Sequence, residues 1–402
     1  MHNIVVFFLR AYMYIFKAVT AILPIKWPKT FEGAGSSLEL VRHISAEGHT
    51  KVLIVTDAML VKLGLIAPIA AEMEKQGIEY RVYDGVLPDP TVAQIEAGVD
   101  VQKEMGAQAI LAIGGGSSID AAKVIAARAK NNKPVVKMTG LFRVYRGIIP
   151  LYAIPTTAGT GSEVTIAAVV SDTEQQRKLP IMDTCLMPKA AALDSAMMTG
   201  LPAPITAATG MDALTHAVEA YISRNAMKRT DDKAIEATKL IMANLSTAYS
   251  DGGNLEARQS MTRGSHLAGI AFTQAGVGYV HAIAHNFGAL YHTPHGLANA
   301  IALPYILEYS KVNCAHRLAD LARACDIGDA SGSDAELADA FIARVNQMKV
   351  EFDIPATLAA LKAEDIPRIA RAALQEARFT YHVPRYMDNA TCQKIIGQML
   401  PA

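Results

Sequence analysis

Cysteine is scarce and scattered. Only Cys185, Cys314, Cys325 and Cys392 are present, with no C-x-x-C pair among them. That argues against a disulfide framework and points to a reducing compartment. A charge excess is also missing: 38 Lys and Arg balance 38 Asp and Glu. No global basic field is available to draw in nucleic acid, and neither a zinc-finger spacing nor a Lys/Arg block supplies a local one. Internal repeats are absent, which excludes solenoid and propeller architectures. An unbroken signal-like run is lacking too. The apolar stretch Ile4 to Ile25 is interrupted by Arg10 and Lys17, whereas a secretory signal places its charge ahead of the run. The stretch is long enough to span a bilayer, but each cation would cost about 2.5–3.5 kcal/mol near the centre. The two cations fall nearly on one helix face. Residues 1–27 are therefore expected to form a peripheral, interfacial helix with its cations toward lipid head groups. The competing expectation is a helix packed on the protein's own surface.

What is present describes a globular chain. Its 402 residues are 51% hydrophobic and 19% charged, and a chain of this length buries about three quarters of its unfolded surface. From Lys51 onward short β-branched runs alternate with helical segments that end at glycine: "KVLIVTDAML", "IAPIAAEMEKQG", "EYRVYDGV", "TVAQIEAGVDVQKEMG", "AILAIGGG", "SSIDAAKVIAARAKN". That alternation predicts βαβ units and a parallel sheet. Near Leu201 the texture changes, and segments such as "MDALTHAVEAYIS" and "DAELADAFIARVNQMKVEF" read as helices. The expected fold is an α/β N-terminal domain with a Rossmann-like parallel sheet over residues 28–200, followed by an all-α C-terminal domain over 201–402.

Two glycine- and hydroxyl-rich turns follow strands in the first domain. "ILAIGGGSSIDAAK" runs strand, glycines, helix, and a backbone without Cβ atoms at a helix N-terminus suits a phosphate. Ser117 and Asp120 have capping-box-like spacing there. "PTTAGTGSE" crowds Thr156, Thr157, Thr160 and Ser162 around two glycines. Two such loops favour a dinucleotide over a chance turn, since ligands of open α/β sheets collect at the carboxyl ends of strands. Asp57 closes the strand "VLIVTD". It suits either a ribose hydroxyl or a helix N-cap.

The second domain gathers His281, His285, His292 and His295 between Val280 and Gly296, four of the chain's 11 histidines. His281 and His285 share a helix face, as do Asp212 and His216 upstream. His295 lies beyond Pro294, past a helix end or kink. Two helices that each turn such a face toward one point make a metal site. Imidazoles with one carboxylate suit Zn²⁺ or Fe²⁺ over Mg²⁺ or Ca²⁺.

With "VTDAML", "GGGSSIDAAK", "IPTTAGTGSEVT", "ATGMDALTHAVEAY" and "VHAIAHNFGALYHTPHGLANAIALP" in this order, the chain resembles the iron-containing (group III) alcohol dehydrogenases of the dehydroquinate synthase-like superfamily. The resemblance runs from about Phe31 to the C-terminus. It implies Fe²⁺, with Zn²⁺ as the alternative, held by Asp212, His216, His281 and His295. It makes His285 a non-ligand beside the nicotinamide and leaves His292 outside the first shell. NAD would lie with its pyrophosphate on Gly115, Gly116 and Ser117 and its adenosine ribose on Asp57, with Thr156, Thr157, Thr160 and Lys178 along the groove. Ser118, Asp89 and Ser195 depart from the usual proline, asparagine and proline of the family, and bear on cofactor fit. The expected function is NAD(H)-dependent interconversion of an alcohol with its aldehyde or ketone, with His285 either as the proton relay or as a residue that only packs against or hydrogen-bonds the cofactor. The competing functions are a polyol dehydrogenase, an NAD-using lyase of the same superfamily, or a non-catalytic nucleotide or metal sensor. The expected setting is cytoplasmic, partly at the inner face of a membrane, and the expected assembly is a homodimer.

Overall fold

The computed structural model describes Lys17 and residues 25–175 and 177–401. They form two compact units. The first is Pro24–Leu201 with Gly252–Thr262; the second is built on Pro202–Asp251 with Arg263–Ala402.

The first unit begins β1 (Lys29–Glu32), α1 (Ser36–Ala46), β2 (Lys51–Val55), α2 (Ala58–Lys62), α3 (Ala67–Lys75), β3 (Glu79–Tyr83). It continues α4 (Val92–Met105), β4 (Ala109–Gly114), α5 (Gly116–Lys130), β5 (Gly140–Leu141), β6 (Leu151–Pro155), β7 (Ala167–Asp172), β8 (Arg177–Met182) and β9 (Ala190–Leu193). Six strands make one sheet in the order β1-β9-β6-β4-β2-β3, and every pairing in it is parallel. Strands buried on both faces must be apolar throughout rather than alternating, and β4, β6 and β9 are buried at every residue. The two-residue period still decides which layer each side chain joins. Leu53 and Val55 of β2 pack with Ile95 and Val99 of α4 and Ile125 of α5. Val52 and Ile54 face the other way, onto Leu40 and Ile44 of α1 and Met73 of α3. The segment "KLPIMD", read from sequence simply as strand-like, lies outside this sheet. As β8 it pairs antiparallel with β7 in a small three-stranded sheet with β5.

One side chain ties α5, the helix that follows the glycine turn, to the hydroxyl-rich loop and the start of β7. Lys123, fully buried on α5, donates to Ser162 Oγ (3.2 Å), Thr165 O (2.9 Å), Thr165 Oγ1 (2.8 Å) and Ala167 O (2.8 Å). Burial pulls its ammonium down to about 8, against the opposing charges of Asp120 and Glu163. Asp120, one turn earlier, accepts from Ser162 Oγ at 2.6 Å and from Val169 N at 2.9 Å. The capping box expected of Ser117 and Asp120 therefore does not form. The N-cap is Gly115, with no side-chain hydrogen bond, because Asp120 is engaged by the hydroxyl loop.

The second unit continues with α6 (Ala203–Ile222), α7 (Lys228–Ser250), α8 (Leu255–Ala275), α9 (Tyr279–Tyr291), α10 (His295–Ala324), α11 (Asp334–Glu351), α12 (Ile366–Thr380) and α13 (Asn389–Gly397). Pro204 sits in the first turn of α6, where a missing N–H costs nothing. The start of α8 belongs to the first unit. There buried Arg258 donates to the carbonyls of Gly252 and Leu201, at 3.0 and 3.2 Å. Among the described residues no single helix is long and apolar enough to cross a membrane. The N-terminal stretch expected at a membrane interface lies outside the described residues except for Lys17 and Ile25. Lys17 Nζ donates to the carbonyls of Arg224 (3.0 Å) and Ala226 (2.7 Å).

Lys123→Met should cost about 3 kcal/mol, because the Thr165 and Ala167 acceptors lose their donor in a dry interior. Urea unfolding of the α/β unit is the check. An unchanged midpoint would remove Lys123 from this role.

Candidate metal centre and dinucleotide loops

In the α/β unit the loops of interest follow β2, β4 and β6, which are neighbours in the sheet. The chain moves outward from β2 to β3 on one side and from β4 to β6 and β9 on the other. The reversal between β2 and β4 is the topological switch point at which such sheets bind ligands. Gly115, Gly116 and Ser117 open α5 with their N–H groups free of any side-chain cap, the arrangement a phosphate uses. The hydroxyl loop is held against them. Thr156 N donates to Gly114 O at 3.0 Å. A Cβ on Gly116 would lie 2.7 Å from Thr160 Cγ2, so only glycine admits Thr160 there. Thr156 is buried, while Thr157 and Thr160 are partly open.

Asp57 is the N-cap of α2; its Oδ1 accepts from Met59 N and Leu60 N, each at 3.0 Å. The helix-cap reading of this residue therefore holds, and the cap fixes its carboxylate at the end of β2. Lys178 and Asp89 meet each other: Lys178 Nζ lies 2.6 Å from Asp89 Oδ1 and 3.0 Å from Ser171 Oγ. Asp89 adopts φ +58°, a left-handed conformation that asparagine tolerates as well as aspartate.

In the helical unit, Asp212 and His216 lie on α6, His281 on α9 and His295 at the first position of α10. Their ligand atoms all lie within 4.8 Å of one another. Asp212, His216 and His281 are buried, whereas the His295 side chain is 40% exposed and opens the site to one side. The sequence explains the convergence. Pro294 is the N-cap of α10, so the chain restarts as helix with His295 leading. Gly296 then sits so close to α6 that a Cβ there would lie 2.3 Å from Ala208 O. Any side chain at that position would push His295 away from Asp212.

A buried acid that the sequence reading missed sets the orientation of His281. Glu219 Oε2 accepts from His281 Nδ1 (2.7 Å) and from Gly278 N (2.8 Å), and Oε1 accepts from Val280 N (2.8 Å). Nδ1 is thereby occupied, and Nε2 is left to face Asp212 Oδ1 at 3.9 Å. Burial raises the Glu219 carboxyl to about 7 despite those bonds. Burial, with the neighbouring His216, His295 and His285, holds His281 well below the ordinary imidazole range. The neutral ring is the form that binds a metal. The signal for Glu219 was legible: Asp212, His216 and Glu219 recur at i, i+4 and i+7 on one helix. Asn299, four residues after His295, was also missed. It is fully buried, and its amide lies among Asp212, His281 and His295.

His285 stands beside the cluster. Its ring stacks on His295 at 5.3 Å between centroids, and Nδ1 donates to Glu376 Oε1 at 2.7 Å. Tyr381 Oη donates to the same oxygen at 2.6 Å. Burial lowers His285, but the Glu376 hydrogen bond and charge, with Asp212 and Glu219, outweigh it and leave its pKa raised. Glu376 carries no local sequence signal; it arrives from α12. His292 is the exposed C-cap of α9 with φ +53° and takes no part.

A buried carboxylate with three imidazoles, one of them in a fixed tautomer, is a donor set that fits a divalent transition metal. Residues 28–195 match the family model "Iron-containing alcohol dehydrogenase", and residues 206–400 match "Fe-containing alcohol dehydrogenase family, C-terminal". The chain is 38% identical over 348 residues to lactaldehyde reductase of Escherichia coli K12, covering 86% of this chain and 91% of that protein. It is 36% identical to the NAD-dependent methanol dehydrogenase of Bacillus methanolicus, covering 87% of this chain and 92% of that protein. A solved structure of 1,3-propanediol oxidoreductase superposes with a TM-score of 0.90 at 35% identity, covering 94% of this chain and 100% of that one. The parallel sheet and helical half expected from sequence are those of its structural neighbours, and the chain belongs to the iron-containing alcohol dehydrogenase family, as an oxidoreductase that interconverts alcohols and carbonyl compounds.

Proposed function

We propose that the α/β domain of residues 28–200 binds NAD and that residues 201–402 hold one divalent cation through Asp212, His216, His281 and His295, with Fe²⁺ as the resident metal and Zn²⁺ as the alternative. The observation that carries this reading is the convergence of those four side chains within 4.8 Å, with His281 Nε2 turned inward by Glu219. When bound, the cation supplies the Lewis acidity that eases loss of the hydroxyl proton, and the nicotinamide supplies the hydride acceptor. The chain supplies the rest. Gly115, Gly116 and Ser117 present N–H groups to the pyrophosphate. Thr156, Thr157 and Thr160 offer hydroxyls, Asp57 accepts from the adenosine ribose, and the Asp89–Lys178 pair borders the groove. His285 takes the alcohol proton on Nε2. Glu376, bonded to Nδ1, stabilises the imidazolium so formed, and Tyr381 holds Glu376 in place.

The substrate is a short, uncharged primary alcohol or its aldehyde. Support comes from the neutral, largely apolar stretches "AGIAFTQAGVGYV" and "NFGALY" around the ligands, and from relatives named for lactaldehyde, methanol and 1,3-propanediol. The site of action is the cytoplasm, where the cofactor is kept. For the N-terminal stretch, the bonds from Lys17 to the protein's own carbonyls favour the protein surface over lipid as the partner of that cation.

His281→Ala should abolish turnover and lower metal content while dinucleotide binding persists, because the cofactor residues lie in the other unit. Metal analysis of protein purified under anoxia, alongside NADH titration, reads both. Full occupancy and near-normal turnover in the variant would refute the ligand set.

A carboxylate at the end of β2 repels an added 2′-phosphate, so NAD should be preferred over NADP. Asp57→Ser keeps a helix cap but removes the charge, and should relax the preference about tenfold or more, the scale of one lost charged hydrogen bond. The ratio of kcat/KM on the two cofactors measures it. A wild-type enzyme indifferent to the two would contradict the role.

A further inference from the structure

Asn299 lies on the second turn of α10 and is completely buried. Its Nδ2 is 2.6 Å from Asp212 Oδ1, 3.1 Å from His295 Nε2 and 3.2 Å from His281 Nε2. Its Oδ1 is buried with no hydrogen-bond partner among the described residues. The two parts of this amide are treated very differently. The donor half reaches three acceptors with two hydrogens, while the acceptor half has nothing. A buried amide left half-satisfied is costly, and an apolar residue of the same volume would avoid that cost. The side chain is therefore explained by what its donor half does.

Those three acceptors belong to the proposed metal ligands. An aspartate oxygen and two imidazole lone pairs turned toward one point repel each other unless something positive lies between them. In this molecule that something is the Asn299 amide. The short contact assigns one hydrogen to Asp212, and the other is shared by the two imidazoles. Helix geometry makes the arrangement automatic. Asn299 is four residues after His295, hence on the same face of α10, and Gly296 brings that face onto α6 beside Asp212.

We propose that Asn299 is a positioning residue for the cation, an inference that rests on the metal-site reading above. It holds Asp212, His281 and His295 convergent before metal enters. It then yields the imidazole lone pairs and keeps its bond to the carboxylate. Preassembled ligands lose less freedom on binding, and hydrogen bonds to ligating groups are worth about 10–100-fold in affinity.

The test uses full-length metal-free protein and Co²⁺, whose visible absorption reports the ligand set. Co²⁺ affinity is measured by chelator competition for wild type, Asn299→Leu, Asn299→Ser and His281→Ala, with NADH binding and thermal melting recorded for each. Asn299→Leu, close in volume and without a donor, should bind Co²⁺ about 10–100-fold more weakly than wild type and with an altered spectrum, while NADH binding stays the same. Asn299→Ser, which retains a short donor, should fall between the two and keeps the question answerable if the leucine variant fails to fold. Both variants matching wild type in affinity and spectrum, even with lowered melting temperatures, would reduce Asn299 to a structural filler and overturn the proposal. That result would leave the ligand set standing. If wild type takes up no stoichiometric Co²⁺, or His281→Ala binds it as wild type does, the metal-site reading itself falls and this inference falls with it.

Discussion

The helical unit is organised around one buried carboxylate. Glu219 accepts three hydrogen bonds, from Gly278 N, Val280 N and His281 Nδ1. Two of them come from the start of α9, where unpaired N–H groups and the helix dipole attract a negative charge. The third orients His281, a proposed metal ligand. Removing Glu219 would therefore loosen the attachment of α9 to α6 and free the tautomer of His281 together. The cost of burying the acid appears in its raised pKa, about 7. An unneeded buried carboxylate would be a poor choice beside an apolar residue, since burial of a charge is repaid only by good partners. Its presence is accounted for by the imidazole it holds.

The α/β unit meets a different demand. The ligand proposed for it is an anion that must be approached closely by backbone, so bulky side chains would be a hindrance at the contact itself. The side chains that matter lie one step behind. Lys123 and Asp120 strap the hydroxyl loop to α5, and the central strands β4 and β6 behind them are buried at every residue. Rigidity is placed in the support, leaving the N–H groups at the start of α5 uncapped.

This difference governs what could be read from the sequence. The proposed metal ligands are side chains at helical spacing, so Asp212 with His216, and His281 with its neighbours, are visible in the sequence alone. Glu219 lay on the same i, i+4, i+7 line and was overlooked only because a carboxylate on a helix is ordinarily solvated. The cofactor turn offered glycines, a weaker signal, and the expected Ser117–Asp120 cap failed because Asp120 bonds to a loop 42 residues away. The strand β9, "AAAL", gave no β-branched signal at all; its burial between β1 and β6 overrides the helix preference of alanine. Pro304 lies inside α10, where local rules would have ended the helix, yet the break comes ten residues later, at a kink with non-helical Cys314 (φ −140°). Packing against α6 and α11 carries the helix past the proline. Glu376 reaches His285 across 91 positions, a relation no local pattern contains.

These misses share a cause. Each missed residue acts on another residue of the protein rather than on a ligand, and its partner is set by tertiary packing. Asp212, His216 and His281 are recognisable as candidate ligands because metal coordination restricts residue type and spacing at once. Glu219, Glu376 and Asn299 are restricted only by what they must donate or accept, a demand that several residue types meet at many positions. In a site of this design the coordinating groups state the chemistry, whereas the hydrogen bonds behind them determine tautomer, orientation and charge. Resemblance to a family therefore conveys the reaction class more readily than the tuning, and the tuning of this chain is to be sought in the residues that touch its ligands from behind.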